Sequence, residues 1–162
     1  MMGKINLQKV IIGGLVAGVV LNVVDYVLYG VVLKDQMAAA MTSLNRQPVT
    51  NAQIPWFVVL DLVTGVFLVW LYAAIRPRFG PGPGTAVKAG LALWFVAGLL
   101  GNLYMWPMNL MPHNMLLTTM AVMLVSCPLA CAIGARFYTE GAGIGTGAGA
   151  GAHAHAGMGA RM

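Results

Sequence analysis

The chain has 162 residues, of which 59% are hydrophobic and 8% charged, with a formal net charge of +5. A soluble domain carries roughly a quarter charged residues, so this chain lacks the polar surface that water demands and its solvent is expected to be lipid. The positive charge is scattered at loop ends, not gathered in a basic stripe with interleaved aromatics, which argues against a nucleic-acid partner.

Taken in chain order, the sequence predicts four membrane-spanning helices, at about 10–33, 54–75, 86–106 and 115–135. Each run has about the 20 residues needed to cross a ~30 Å hydrocarbon core as an α-helix, and a helix satisfies its own backbone hydrogen bonds in lipid. The first run is too long for the apolar segment of a signal peptide and no small-residue cleavage site closes it, so it is read as a retained span. Between the first two spans, Lys34 to Gln53 is polar, and its stretch Asp35 to Met41 has the composition of a short interfacial helix. The second connection, Arg76 to Thr85, contains Gly80-Pro81-Gly82-Pro83-Gly84 and cannot continue a helix. The third, Pro107 to Asn114, is a tight turn with two prolines. Beyond Gly141 the chain becomes Gly/Ala-rich with a His153-Ala154-His155 motif, and 141–162 is expected to be a disordered tail. The transmembrane domain is therefore expected to occupy 1–140, as an all-α integral membrane four-helix bundle.

Lys4, Lys9, Arg76, Arg78, Lys88, Arg136 and Arg161 fall on one side of this topology, and Lys34 and Arg46 on the other. Under the positive-inside rule both termini are expected in the cytoplasm. Trp56, Tyr104 and Trp106 are expected at the outer interface, and Tyr72 and Tyr138 at the inner one.

Two stretches repeat. Ala17-Gly18-Val19-Val20-Leu21-Asn22 matches Ala97-Gly98-Leu99-Leu100-Gly101-Asn102, and Leu71 to Phe79 matches Leu129 to Phe137. Their order is that of a duplicated helical hairpin, which predicts a parallel repeat about an axis along the membrane normal. Chance reuse of a small apolar alphabet is the competing explanation.

The first span carries the most chemistry. Asn22, Asp25, Tyr26 and Tyr29 share a face by helical spacing, and Gly14 and Gly18 continue it as a pair of small residues suited to close helix packing. Gly98 and Gly101 are the corresponding packing candidates in the third span. In the second span, Asp61 and Thr64 lie at a depth expected to match that of Asp25, with no Lys or Arg at that level. An unpaired charge in the bilayer interior costs at least ~2.5 kcal/mol, so these acids are protonated, share a proton or bind a cation. Asn22, Asp25, Tyr26, Asp61, Thr64 and Asn102 form either a proton or cation site or a hydrogen-bonded packing network, and both readings stand. Met105, Met108, Met111 and Met115, with His113, are soft donors that would suit copper, although methionine is also an ordinary apolar filler. Cys127 and Cys131 share a helix face and are read as packing residues, since an i to i+4 disulfide strains a regular helix. Pro128 predicts a kink, with Ser126, Thr118 and Thr119 available to serve the carbonyl it frees.

No phosphate-binding loop, metal-protease motif or nucleophile elbow occurs, so the chain is expected to be neither an enzyme nor a cofactor protein. The run Tyr29 to Met41, following Asn22 and Asp25, resembles the first-span exit of small, uncharacterised four-span bacterial membrane proteins. That resemblance implies a bacterial cytoplasmic-membrane location and brings no activity with it. The leading expectation is a packing or assembly component whose partners are the bilayer and copies of itself or other membrane subunits. The alternatives are a small proton- or cation-coupled transporter or channel component, and a copper-handling protein.

Overall fold

The computed structural model describes residues 5–140, and every regular element among them is helical. Four helices are long and apolar enough to cross a membrane: α1 (Leu7–Val32), α3 (Ile54–Phe79), α4 (Pro83–Met105) and α5 (His113–Ala135). A shorter helix, α2 (Lys34–Ser43), follows α1. The end of α1 over Leu28–Val32 and the middle of α4 over Trp94–Leu100 are wound more widely, as π-helix.

The helix ends follow local chemistry. The Asn6 side chain caps α1 by accepting from the Lys9 backbone N–H at 3.2 Å. Pro55 and Pro83 sit in the first turns of α3 and α4 and Pro112 directly precedes α5, positions where a missing N–H costs nothing. The Gly-Pro connection is shorter than its sequence suggests. Helix α3 continues through Pro77 to Phe79, and Pro83-Gly84 already belong to α4, so only Gly80, Pro81 and Gly82 connect them. Gly80 and Gly82 make the turn at φ values of 81° and 126°, a left-handed region that other residues avoid.

Helix α1 packs on α3 and α5, and α4 packs on α3 and α5, so α1 and α4 lie diagonally across the bundle. The α1–α3 contact is backbone to backbone. A methyl group at Gly18 would lie 2.6 Å from the Leu62 Cα, one at Gly14 would collide with the Val66 Cα, and Gly65 fits against the backbones of Gly14 and Gly18. One turn outward, Asn22 Nδ2 donates to the Val58 carbonyl at 3.3 Å. Residues descending α3 thus meet residues ascending α1 in steps of four, as antiparallel helices must. Gly13 against Gly134 closes α1 on α5, and Gly90 against Pro128 closes α4 on α5.

The interior is correspondingly small. Ala17, Ala86, Ala89 and Ala130 are fully buried, while Val63, Val96, Leu117 and Val125 face outward. Small residues inside and large apolar ones outside is the distribution expected where lipid supplies no hydrophobic drive and helices associate by close packing. This is a multi-pass membrane protein with an all-α bundle, as its composition predicts. A satellite core of Leu28, Leu33 and Met115, with Tyr29, Met37, Met111 and Val122, seats α2 over the ends of α1 and α5, and Asn114 Nδ2 reaches Gln36 Oε1 at 3.3 Å.

Tyr72 and Tyr138, expected at the inner interface, are buried within the bundle and packed edge-on at 6.0 Å. One expectation is corrected. Gly101 meets no neighbouring helix, only the carbonyl of Val96 in its own, whereas Gly13, Gly65, Gly90 and Gly134 join Gly14 and Gly18 in making close approaches. The tail at 141–162, with its two histidines, lies outside the described residues.

Overpacking a closed interface costs ~1–3 kcal/mol. Gly18→Leu should therefore lower the melting temperature of the detergent-solubilised protein, while Gly101→Leu should leave it unchanged. Equal melting of wild type and Gly18→Leu would contradict the backbone contact.

Candidate functional site

Helical periodicity places Asn22, Asp25, Tyr26 and Tyr29 together, and the structure divides them. Asp25 and Tyr29 are half-buried, whereas Tyr26 is 72% exposed on the outer surface. The reason is geometric. At 3.6 residues per turn, each step of four overshoots a full turn by about 40°, so the row Gly14, Gly18, Asn22, Tyr26 winds away from the contact that its glycines make. Asn22 lies at the edge of that row, donating to the Gly18 carbonyl at 3.0 Å in its own helix and to Val58 across the interface.

The two acids are not at matched depth. The Asp61 backbone carbonyl lies beside Gly18, seven residues before Asp25, which is roughly 10 Å along a helix axis. The mismatch arises because α1 continues past the start of α3 by more than a turn before α2 begins. Side chains on a helix lean toward its N-terminus. Since α1 and α3 run in opposite directions, this tendency carries the two acids toward each other's level. The two carboxylates lie within electrostatic reach of one another, and Tyr29 lies within reach of both. No hydrogen bond joins them among the described residues, so this geometry holds no shared proton.

Tyr29 extends the cluster to α5, where its hydroxyl lies 3.3 Å from Thr119 Oγ1. Thr119 is buried. The site is therefore built from α1, α3 and α5: Asp25, Tyr29, Asp61 and Thr119. Thr64 is half-buried one turn from Asp61 and makes no hydrogen bond to the cluster. Asn102 donates to Gly98 in its own helix at 2.6 Å and bonds to none of the other members. Thr118 bonds to the Asn114 carbonyl and Thr119 faces Tyr29, so neither threonine serves the carbonyl freed by Pro128. Sequence reasoning missed Thr119 as a cluster member. The available signal was a hydroxyl pair in an apolar span, of which only one partner can face inward.

The methionine donors are dispersed. Met105 and Met108 are exposed, and Met115 is buried with Met111 and Met37 in the satellite core. His113 stacks on Trp106 at 4.2 Å. The structure does not gather these five residues around one point.

The chain matches no family model, no curated protein and no solved structure, so any functional reading rests on its own chemistry.

Proposed function

We propose that this chain is a non-enzymatic component of a membrane assembly, either a homo-oligomer or a larger complex, that associates through the outer face of α1 and α3. The observation that carries this reading is a shallow groove of about 430 Å³ lined by Val19, Asn22, Val23, Tyr26, Val58 and Leu62. The groove's walls are almost wholly apolar, and Tyr26 at its side is 72% exposed. The Asn22 amide is already committed to the Gly18 and Val58 carbonyls, so the groove offers a neighbouring helix a packing surface with the Tyr26 phenol as its directional contact.

We place the protein in a bacterial cytoplasmic membrane with both termini in the cytoplasm. Lys9, Arg76, Arg78, Lys88 and Arg136 at one end of the bundle, against Lys34 and Arg46 at the other, support that orientation. A duplicated hairpin is supported by register. The α1–α3 rungs Asn22–Val58, Gly18–Leu62 and Gly14–Val66 lead next to Val10 and Trp70. Extended beyond their own bounds at the same offsets, the two sequence matches carry Val10 onto Gly90 and Trp70 onto Pro128, and Gly90 packs on Pro128. Asn22 and Asn102 also make the same bond, to the glycine four residues earlier. An experimental structure with Gly90 more than a turn from Pro128 would remove this support.

Cysteine cross-linking in native membranes tests the assembly reading. Tyr26→Cys should cross-link to a neighbouring chain, and Leu117→Cys, exposed on α5, should not. A chain that remains monomeric in both variants would overturn it.

A second reading, a small proton- or cation-coupled transporter or channel component, is supported by two acids inside the spans, Asp25 and Asp61, within electrostatic reach of one another and of Tyr29. Asp25→Asn and Asp61→Asn should each abolish pH-dependent cation flux in proteoliposomes, and Tyr26→Phe should leave it intact. Flux unchanged by the acid substitutions rejects this site.

A further inference from the structure

Away from the acidic cluster, where α3 and α5 end, one cation is drawn into the protein without adequate company. The Arg76 side chain is 19% exposed, and its Nε and Nη1 are shielded from solvent with no hydrogen-bond acceptor among the described residues. Glu140 Oε1 approaches Nη1 to 3.5 Å, close enough for an ion pair and not aligned for a hydrogen bond. The guanidinium lies over the Tyr138 ring at 5.5 Å from its centroid. Tyr138 is in turn held edge-on by Tyr72, whose hydroxyl accepts from the Gly82 backbone N–H at 3.2 Å. The α3–α4 turn therefore fixes an aromatic platform, and the platform fixes the arginine.

A guanidinium buried with unpaired donors is costly, and Glu140 answers its charge without answering its hydrogen-bonding capacity. Glu140 is also the only acidic side chain at this end among the described residues, since the other three are Asp25, Asp35 and Asp61. Lys9, Arg78, Lys88 and Arg136 surround the same end with positive charge. What is missing is an anion with several acceptor oxygens, for which the planar fork of arginine is suited. The location supplies one, because span ends lie at the level of lipid headgroups and basic pockets there bind anionic ones.

We propose that Arg76, on its Tyr138 platform, binds the phosphate of an anionic phospholipid headgroup, and that Glu140 holds that position until lipid displaces it. The carboxylate is a built-in competitor. It neutralises Arg76 in the unliganded protein and, being 45% exposed, swings out when a better acceptor arrives.

Lipid titration of the full-length protein in detergent, followed by native mass spectrometry, tests this with phosphatidylglycerol, phosphatidylcholine and inorganic phosphate as separate probes. Phosphatidylglycerol should bind more tightly than phosphatidylcholine. Arg76→Gln should weaken phosphatidylglycerol binding about tenfold, the loss of one charge-assisted contact. Arg76→Lys keeps the charge without the fork and should fall between the two, which guards against a folding defect in Arg76→Gln. Arg78→Gln, exposed on the same helix, should change binding by less than about twofold, as a peripheral charge does. Glu140→Gln should strengthen binding, an effect that a purely structural latch would not produce. Equal losses in Arg76→Gln and Arg78→Gln would reduce the site to diffuse charge and overturn the proposal. So would unchanged binding in Glu140→Gln, or Arg76-dependent binding of inorganic phosphate as tight as that of the lipid.

Discussion

The missing side chains at Gly14, Gly18 and Gly65 determine how closely α1 and α3 approach, and most of the remaining architecture follows from that approach. With any larger residue there, the two backbones could not touch. Because they do touch, Asn22 reaches across to the Val58 carbonyl and the helices lock in a register that advances by four residues per rung. In a solvent that drives no apolar association, such contacts, summed over many atoms, are what hold helices together.

Register then decides where polar groups fall. The same antiparallel crossing that brings glycine to glycine staggers Asp25 and Asp61 in depth. It turns Tyr29 inward, against Thr119, and Tyr26 outward, into the groove. One helix thus contributes both to an internal polar cluster and to an external association face. The difference between these fates is about 60° of rotation between Tyr26 and Tyr29 on a 3.6-residue helix.

Span number, helical class and the α2 segment were legible in the amino-acid sequence because long apolar runs and helix-forming residues are local properties. The prolines misled at one place. Pro83 reads as a breaker in a Gly-Pro string, yet as the first residue of α4 it costs nothing, and only the partner geometry of the turn distinguishes the two. Matched depth for the two acids failed because counting from span ends assumes that both spans end at one level, and α1 overshoots α3. Glycine was recognised as a packing residue from Gly14 and Gly18, but its other uses depend on which face meets which helix. Gly90 and Gly134 each have an alanine four positions earlier, Ala86 and Ala130, a weaker signal than a pair of glycines, while Gly101 follows Gly98 by three and packs on no other helix. The pairing of Tyr29 with Thr119 spans 90 positions, and no local pattern encodes it.

Close contact between α1 and α3 is most directly tested by a disulfide scan in native membranes, with Cys127 and Cys131 replaced by alanine. The double variant Asn22→Cys with Val58→Cys should oxidise to an intramolecular bond, and Asn22→Cys with Phe67→Cys, over two turns further along α3, should not. A bond in the second pair and none in the first would contradict the register on which this account stands.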